Sequence, residues 1–467
     1  MLREIEGKIV EIIFHNKTNG YTVAVFELKE PDDTEEYFNV VGIVPAAATG
    51  KNYRLEGKFV TNPKYGEQFS ISTCEELMPT TEDGIKDFLS SGTIKGVGRR
   101  MARAIVERFG EDTFDIIAND PEQLLEISGV GPKMVTRITE AYKNHVEYAQ
   151  VIIELRKLGI PTASIVRIYN LYGAEAVEII RENPYRLTED GLNMSFIKAD
   201  EIAKNVGIEG DNEFRIKCGI KYTLVYFAGE GNTYLPEDEL CEKTAKLLDQ
   251  SRELVLDQIE ALVFDGDISL DSNEGQRIVY LSAYYSAEKN VSYCLMRLAK
   301  AKLKPVEANS DTLIQRAEAQ SGISLSEQQK LAVTSCLNEG VSVITGGPGT
   351  GKTTIINSII QILEDSQLKV AIAAPTGRAA KRITETSGKP ASTIHRLLEY
   401  SFFENGGDDR DRRFMVFGRN EENPLDYDAI IIDEASMIDI ILMNGLMKAI
   451  RPGTRLIMVG DQDQLPS

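Results

Sequence analysis

The sequence predicts a multidomain protein in which a small β-barrel, an array of α-helical hairpins, an α+β segment and an α/β domain follow one another. Three observations lead to this prediction. The 467 residues correspond to three or more domains of ordinary size. The apolar pattern changes from period two near the N-terminus to helical periods and then to alternating strands and helices. A glycine-rich loop between an apolar strand and a helix lies in the last third.

The composition favours a globular, cytoplasmic protein. Hydrophobic residues make up 42% of the chain and charged residues 27%. No apolar run approaches the roughly 20 residues that span a bilayer, and the N-terminus has no signal-peptide core. Five cysteines stand far apart without CxxC spacing, which predicts reduced thiols and argues against a zinc site. The net charge of −20 argues against a general cationic coat for nucleic acid, although residues 84–110 and 375–396 are locally basic.

Residues 1–78 alternate apolar and polar side chains and are rich in β-branched residues. Turn signals at Asn19-Gly20 and Asn62-Pro63 separate the strands, so we expect a small barrel of the OB type. Tyr21 and Tyr65 have the chemistry to stack nucleic-acid bases, but half-buried strand positions are the favoured interpretation.

Residues 79–210 read as helices with an internal repeat. The hairpin Ile94–Gly98 returns 33 residues later as Ile127–Gly131, and Phe109–Ile117 is echoed by Tyr172–Ile180, which indicates a third, degraded copy. Such glycine turns let backbone N–H groups approach a DNA phosphate. We therefore predict tandem helix-hairpin-helix motifs, with a helical packing hairpin as the alternative. The predicted DNA-binding residues of the two turns are Gly96, Gly98, Arg99, Arg100, Gly129, Gly131 and Lys133.

Residues 211–305 are the least informative. Two helices followed by a β-hairpin suggest a winged-helix-like layout. Because this stretch is strongly acidic, a structural or connecting role is favoured over DNA binding.

Residues 306–467 predict an α/β domain with a phosphate-binding loop, or P-loop. Apolar strands at 341–345, 369–374, 428–433 and 455–460 alternate with helices, which implies a parallel sheet. The loop Gly346–Thr354 matches G-x-x-x-x-G-K-[ST] and predicts binding of ATP and Mg²⁺. Lys352 would reach the β- and γ-phosphates, and the Thr353 hydroxyl would hold Mg²⁺. The predicted cofactor-binding residues of this loop are Gly347, Pro348, Gly349, Thr350, Gly351, Lys352, Thr353 and Thr354.

Two carboxylates follow the third strand. Asp433 is predicted to bind Mg²⁺ and Glu434 to orient or deprotonate the attacking water. Adjacent residues of a strand point in opposite directions, which would give the two side chains different tasks. Gln329 is predicted to contact adenine, and Gln464 to sense the γ-phosphate and complete the catalytic set with Lys352.

A basic segment follows the second strand and suits the backbone of single-stranded DNA. Its predicted DNA-binding residues are Pro375, Thr376, Arg378, Lys381 and Arg382. For His395 two interpretations stay open, a buried capping histidine and a DNA-facing side chain.

Six segments, in order along the chain, resemble the motif series of superfamily 1 helicases of the RecD branch. They are L-S-E-Q-Q-K from Leu325, G-G-P-G-T-G-K-T-T from Gly346, A-P-T-G-R-A-A-K-R from Ala374, T-I-H-R-L-L from Thr393, D-E-A-S-M from Asp433 and G-D-Q-D-Q-L-P-S from Gly460. The hairpin repeats make the chain similar to the stand-alone members of that branch. The resemblance implies ATP-driven 5′→3′ movement on single-stranded DNA and unwinding of duplex, with roles in DNA repair or recombination.

The resemblance also implies a β-hairpin inserted at about 400–426 that separates duplex strands, with an unstructured charged loop as the alternative. The family has a second RecA-like domain with arginine fingers, which is absent before the sequence stops at Ser467. We therefore expect an N-terminal fragment that binds nucleotide weakly and DNA moderately, but neither hydrolyses ATP quickly nor unwinds duplex.

The expected partners are single-stranded DNA and junctions of single- and double-stranded DNA, with a single-strand-binding protein as a candidate and a monomeric state. Two other function classes compete with a helicase. One is a DNA-stimulated P-loop ATPase that acts as a switch or loader, and the other is a DNA-binding module with a vestigial nucleotide fold. The basic segment after the second strand favours the helicase, because a switch needs no surface that follows a strand.

Overall fold

The computed structural model of the protein describes residues 3–29, 35–45, 47–91, 94–189, 191–347, 349–403 and 414–464. Pro348 of the predicted phosphate loop lies outside the described residues. The chain divides into two compact units, Met1–Arg215 and Ile216–Ser467. No helix among the described residues is long and apolar enough to cross a membrane.

The first unit begins with a closed five-stranded barrel in the order β1-β2-β3-β5-β4. Its strands are β1 (Arg3–His15), β2 (Tyr21–Lys29), β3 (Glu35–Ile43), β4 (Asn52–Asn62) and β5 (Gly66–Leu77). Aliphatic and aromatic side chains fill the barrel core, where the buried Phe69 packs its ring against the partly buried Phe59. The predicted OB-type barrel is confirmed. The strand position predicted for Tyr65 is wrong, since this residue lies on the β4–β5 turn and is 60% exposed.

An array of helices completes the first unit. They are α1 (Glu82–Ser90), α2 (Arg99–Phe109), α3 (Thr113–Asn119), α4 (Pro132–Lys157), α5 (Thr162–Tyr172), α6 (Ala176–Glu182) and α7 (Phe196–Asn205). The structure repeats itself after 63 residues. Helices α2 and α5 each have 11 residues and α3 and α6 each have seven. The glycines that end α2 and α5, Gly110 and Gly173, have nearly the same backbone angles, with φ of 56° and 61°. This agreement identifies the predicted third copy as a structural repeat.

The second unit begins with three helices and a small antiparallel sheet. These elements are α8 (Glu213–Gly229), which starts just before the unit, β6 (Tyr234–Pro236), α9 (Glu237–Leu248), α10 (Arg252–Asp265), β7 (Ile268–Asn273) and β8 (Gln276–Leu281). The sheet order is β6-β8-β7. The order of these elements along the chain is that of a winged helix, with one helix and one strand more than the sequence predicted. Asp257 and Glu260 are exposed on α10 and make that side of the helix acidic, which disfavours contact with DNA phosphates.

An α/β domain completes the chain. Its helices are α11 (Ser282–Lys300), α12 (Ser310–Ser321), α13 (Glu327–Asn338), α14 (Lys352–Asp365), α15 (Gly377–Ser387), α16 (Ile394–Leu397) and α17 (Ile440–Ala449). Its strands are β9 (Val341–Thr345), β10 (Val370–Ala374), β11 (Ser392–Thr393), β12 (Tyr400–Phe403), β13 (Phe414–Phe417), β14 (Ala429–Ile432) and β15 (Arg455–Gly460). Five strands form a parallel sheet in the order β11-β10-β14-β15-β9, as the alternating pattern predicted.

Both faces of this sheet are covered, which explains why its strands are continuous apolar runs. In β14, Ala429 and Ile431 pack with α12 to α15, whereas Ile430 and Ile432 pack with α11, α16 and α17. The carboxyl ends of β9, β10, β14 and β15 therefore meet at one edge, where ligands of open α/β sheets bind.

The insertion after α16 contains a β-hairpin. Strands β12 and β13 pair antiparallel, with Tyr400 opposite Phe417. Residues 404–413, including Gly406 and Gly407, lie outside the described residues. The use of this hairpin to separate strands stays a prediction.

Candidate nucleotide site and nucleic-acid surfaces

The phosphate loop connects β9 to α14 at the carboxyl edge of the sheet. Gly349 and Gly351 have φ of +78° and +87°, a backbone region that side chains with a Cβ rarely adopt. Helix α14 begins at Lys352 without a side-chain cap and without an acidic residue in its first turn. Its first N–H groups and its positive dipole end are therefore available to an anion.

The Lys352 ammonium lies inside the loop. It donates hydrogen bonds to the carbonyls of Gly346 and Gly347, the second at 3.2 Å. Thr350 Oγ1 also donates to the Gly347 carbonyl, at 2.9 Å. These bonds hold the loop curled around the lysine, and incoming phosphate oxygens would exchange with the two carbonyls as acceptors for the ammonium.

Both ends of the Gln329 amide are engaged. Its Oε1 accepts a hydrogen bond from the Ser326 N–H at 2.9 Å, which completes a capping box at the start of α13. Its Nε2 donates to the Thr350 carbonyl at 3.3 Å, and a Cβ added to Gly351 would stand 2.5 Å from that nitrogen. Gln329 thus touches the phosphate loop directly. Its predicted contact with adenine stays a prediction and would require the amide to exchange these partners.

Asp433 and Glu434 line the same cavity as the loop. The prediction that strand alternation points these two side chains in opposite directions is wrong, because β14 ends at Ile432 and both carboxylates lie beyond the strand. Glu434 instead has a left-handed backbone with φ of +53°, which is costly for a residue other than glycine. The unusual backbone, rather than strand alternation, sets the direction of the second carboxylate.

Burial raises the pKa of the Asp433 carboxyl above its ordinary value. A hydrogen bond from the Glu434 backbone N–H lowers that pKa, the Glu434 charge raises it, and the positive charges of Lys352 and Arg382 lower it. Two cations therefore offset part of the cost of a buried carboxylate at this position.

Asp461 is a site residue that the sequence interpretation missed. It follows β15 directly, is only 4% exposed, and places Oδ2 3.9 Å from Lys352 Nζ. Its backbone carbonyl accepts a hydrogen bond from the Gln464 N–H at 3.3 Å, and Gln464 also lines the cavity. Position at the carboxyl end of a central strand was the signal that identified Asp433, and the same signal was present for Asp461.

A further wall of the cavity comes from α14 and α15. Asn357 Nδ2 donates to the Thr386 carbonyl at 3.3 Å, which ties the two helices together. Asn357, Arg382 and Thr386 line the cavity with the loop, and Asn357 and Thr386 were not predicted. Arg382 was predicted to bind DNA, and the structure places it on the wall of this cavity. Its contact with DNA stays a prediction. The cavity has a volume of about 350 Å³.

The residues present fit a magnesium–nucleotide complex. The described residues contain no cluster of three or more histidine, cysteine, aspartate or glutamate residues that would hold a metal by itself. Mg²⁺ in nucleotide sites takes one or two protein carboxylates and completes its octahedron with water and phosphate oxygens. The Thr353 hydroxyl and the Asp433 carboxylate would supply that partial set, and the loop would supply hydrogen-bond donors to the phosphates.

A larger and more open cavity of about 540 Å³ lies at the opposite, amino-terminal edge of the sheet. Its cations are largely neutralised, since Lys369 and Arg451 both pair with Asp426, and Lys304 pairs with Asp428. No predicted site residue lines it. Size alone therefore does not identify the functional site in this domain.

The two hairpin turns of the first unit have the same backbone arrangement. Gly96 and Gly129 have φ of +95° and +94°, and α2 and α4 begin at uncapped glycines, Gly98 and Gly131. Arg137 Nη1, on the first turns of α4, donates to the Lys95 carbonyl at 3.4 Å, so the turns lie side by side. The glycines are exposed with their flanking cations, and among the described residues no ion pair involves Arg99, Arg100 or Lys133.

The other predicted DNA residues lie along α15 and α16. Thr376 caps α15 through the Ala379 N–H, and Arg378 and Lys381 are exposed on that helix. The buried-cap interpretation of His395 is wrong, because His395 is exposed and Thr393 caps α16. The His395 ring packs edge-on against Tyr400 of β12, with 5.2 Å between the ring centres. DNA contact by these residues, and by Pro375, stays a prediction.

Comparison with protein-family models gives four matches along the chain, and one of them crosses the boundary between the two compact units. An OB-fold domain described for the ATP-dependent DNA helicase YrrC matches residues 2–79, and a SAM-like helix-hairpin-helix tandem matches residues 87–144. The helix-hairpin-helix domain of ATP-dependent RecD2 DNA helicases matches residues 144–234, and an AAA domain matches residues 329–467. The chain therefore carries the OB-fold and helix-hairpin-helix domains of RecD2-type helicases followed by an AAA-type P-loop domain, which confirms the predicted fold class.

Individual proteins are also similar to this chain in sequence. An ATP-dependent RecD2 DNA helicase of Deinococcus radiodurans is 28% identical over 99% of this chain and 64% of its own length. The RecBCD enzyme subunit RecD of Mycolicibacterium smegmatis is 34% identical over 41% of this chain and 35% of its own. The chain thus spans less than two thirds of these relatives. A solved structure of Bacteroides Pif1 bound to single-stranded DNA is 28% identical over 31% of this chain and 33% of its own, with a TM-score of 0.22.

Proposed function

We propose that this chain is the nucleotide-binding and DNA-binding part of an ATP-dependent DNA helicase that works in the cytoplasm. One observation carries the proposal. The phosphate loop, Asp433, Glu434 and Gln464 line one cavity at the carboxyl edge of the parallel sheet. These residues come from three separate segments of the chain, and their meeting supports hydrolysis of a nucleoside triphosphate.

Each residue has a task that its position supports. Lys352 and the free N–H groups of α14 bind the β- and γ-phosphates, while Thr353 and Asp433 hold the metal. Mg²⁺ supplies charge that offsets the negative charge developing on the phosphates. Glu434 orients the attacking water and accepts its proton. Gln464, tied to Asp461 through its backbone, responds to the terminal phosphate.

Two surfaces, one in each compact unit, are proposed to bind DNA. In the first unit, the exposed turns at Gly96–Arg100 and Gly129–Lys133 offer backbone N–H groups and cations to duplex phosphates. In the second unit, Thr376, Arg378 and Lys381 of α15 and its cap, together with His395, offer a surface along which a single strand can bind. Neither surface reads bases, so we expect affinity that depends on DNA shape and salt rather than on sequence.

Movement from 5′ to 3′ follows from the resemblance to the RecD branch. The likeness to proteins called RecD2 DNA helicases supports unwinding as the outcome of that movement. We propose single-stranded DNA and forked junctions as substrates, a monomeric enzyme, and a single-strand-binding protein as a partner.

The test uses the whole protein that contains this sequence. ATP turnover is measured with and without single-stranded DNA, and strand displacement is measured on duplexes with a 5′ or a 3′ single-stranded tail. DNA-stimulated turnover and displacement from the 5′ tail are expected. Lys352→Ala should abolish both activities, whereas Lys389→Ala, which removes a lysine paired with Glu364 outside the cavity, should not.

ATP turnover without strand displacement from either tailed duplex would contradict the helicase and favour the DNA-stimulated switch or loader. Displacement only from the 3′ tail would reverse the direction. Equal turnover by the Lys352→Ala variant would contradict the nucleotide site itself.

A further inference from the structure

Arg382 stands apart from the other cations of α15. Its side chain lines the nucleotide cavity together with Lys352, Asp433 and Glu434. Lys381, its neighbour in the chain, does not line the cavity. The Lys381 side chain is 79% exposed and lies 3.8 Å from Glu385 on the outer face of the helix. Neighbouring residues of one basic segment therefore face different surroundings.

The position of Arg382 is fixed by the packing of its helix. Ile383 and Ala380 are buried against the core that contains α14. The hydrogen bond from Asn357 Nδ2 to the Thr386 carbonyl joins the turn after Arg382 to the turn after Thr353. Arg382 therefore lines the cavity together with Thr353 and Asp433, and its charge lies close enough to the Asp433 carboxyl to lower the pKa of that group.

The charges of the cavity leave Arg382 available. Three carboxylates line the cavity, those of Asp433, Glu434 and Asp461, against two cations, Lys352 and Arg382. Lys352 already lies 3.9 Å from Asp461, whereas among the described residues no ion pair involves Arg382. A guanidinium presents several N–H donors in a planar fork that matches phosphate oxygens, and Lys352 alone offers only a point charge.

We propose that Arg382 binds the terminal phosphate of the nucleotide and is not a contact for the DNA strand. This inference rests on the proposed function and adds a nucleotide-binding residue to it. Arg382 links the terminal phosphate to α15, whose first residues, Thr376 and Arg378, are proposed to face the strand. Loss of the terminal phosphate would therefore remove a contact from α15, the same helix that is proposed to bind the DNA strand.

The experiment separates nucleotide binding from strand binding in the whole protein. The affinity for ATPγS with Mg²⁺ and the affinity for ADP with Mg²⁺ are measured without DNA. The affinity for a single-stranded oligonucleotide is measured without nucleotide. The variants are Arg382→Ala, Arg382→Lys, Lys381→Ala and Lys352→Ala, and thermal unfolding shows that each is folded. Arg382 is exposed to solvent, so its replacement should leave the fold intact.

Arg382→Ala should weaken ATPγS binding by about tenfold or more, the size expected for a charge-assisted hydrogen bond, and should weaken ADP binding much less. Its affinity for single-stranded DNA should equal that of the wild type. Arg382→Lys should recover part of the ATPγS affinity, because it restores the charge without the fork. Lys381→Ala should show the reverse pattern, with DNA binding weakened and nucleotide binding unchanged.

Unchanged ATPγS affinity in Arg382→Ala overturns the inference, provided that Lys352→Ala has lost that affinity. A loss of DNA affinity in Arg382→Ala as large as the loss in Lys381→Ala also overturns it and returns Arg382 to the strand. If Lys352→Ala itself binds ATPγS normally, the proposed nucleotide site fails, and that result is distinct from a failure at Arg382 alone.

Discussion

The phosphate loop before α14 and the hairpin turns before α2 and α4 share two backbone features in different surroundings. Each has a glycine with a left-handed φ, namely Gly351, Gly96 and Gly129. In each, the following helix begins without a side-chain cap and without an acidic residue in its first turn. All three therefore present free N–H groups and a positive helix end to an anion.

The surroundings differ in charge and in shape. The phosphate loop closes one side of a cavity that three carboxylates also line. The hairpin turns are exposed, and arginine or lysine side chains flank them. Carboxylates near a phosphate site repel a bare anion and accept one that brings a divalent cation, whereas exposed cations attract the continuous phosphates of DNA. The comparison shows that free N–H groups at a helix start allow a phosphate to bind. The charges of the neighbouring side chains then determine whether that phosphate belongs to a magnesium–nucleotide complex or to DNA.

The largest expected effect is that of Glu434→Gln, which removes one negative charge from the nucleotide cavity and keeps the size of the side chain. Hydrolysis of ATP by the whole protein should fall by roughly 10²- to 10⁴-fold, the usual contribution of a general base. Nucleotide affinity should be retained, because the phosphate donors are untouched. Single-turnover hydrolysis and equilibrium binding measure the two quantities. A hydrolysis rate within tenfold of the wild-type rate would remove Glu434 from the chemistry.

The second-largest expected effect is that of removing Mg²⁺, which should weaken ligand binding at the nucleotide cavity and not at the hairpin turns. With a chelator present, ATPγS affinity should fall by about tenfold or more, since Asp433, Glu434 and Asp461 then face the phosphates without a compensating ion. Duplex DNA affinity at fixed ionic strength should not change, because the exposed cations that flank the hairpin turns need no metal to attract DNA phosphates. Equal losses for both ligands would contradict the comparison.

A double variant, Gly98→Ala with Gly131→Ala, tests the hairpin turns. Both glycines have ordinary negative φ values and no atom within 4 Å of an added Cβ, so the fold should tolerate the change. The new methyl groups stand where a phosphate would approach the helix N-terminus. Duplex DNA affinity should therefore fall several-fold, about 1 kcal/mol, in anisotropy titrations, while ATPγS affinity stays constant.

Gly229→Ala, at an equally open glycine at the end of α8, serves as the matched control and should leave both affinities unchanged. If the double variant binds duplex DNA like this control, the turns are packing hairpins, as the alternative interpretation had it.

The smallest expected effect concerns single cations on α2. Arg100 is exposed, and among the described residues no ion pair involves it, whereas Arg103 Nε lies 2.7 Å from Glu107 Oε1. Arg100→Ala should lower the slope of log affinity against log salt by about 1, as expected for one phosphate contact. Arg103→Ala should change that slope less, because its charge is already paired. DNA titrations at several salt concentrations measure both, and equal slopes for the two variants would break the distinction.

The sequence determined the elements that depend on contiguous residues. Alternation predicted the barrel, the glycine hairpins predicted the helical repeat, and the apolar runs predicted the parallel strands within one or two residues of their ends. These signals are local, because backbone freedom at glycine and side-chain periodicity act within a few residues. The phosphate loop was predictable for the same reason.

Only the tertiary structure decided which distant side chains share the nucleotide cavity. The sheet order β10-β14-β15-β9 brings Asp461 to Lys352, and the packing of α15 on α14 brings Arg382 to the same cavity. The left-handed backbone of Glu434 was equally hidden, since no glycine or asparagine marks it. The physical reason is that strand order and helix packing are fixed by the burial of both faces of the sheet. That burial is a property of the whole domain and of no single segment of its sequence.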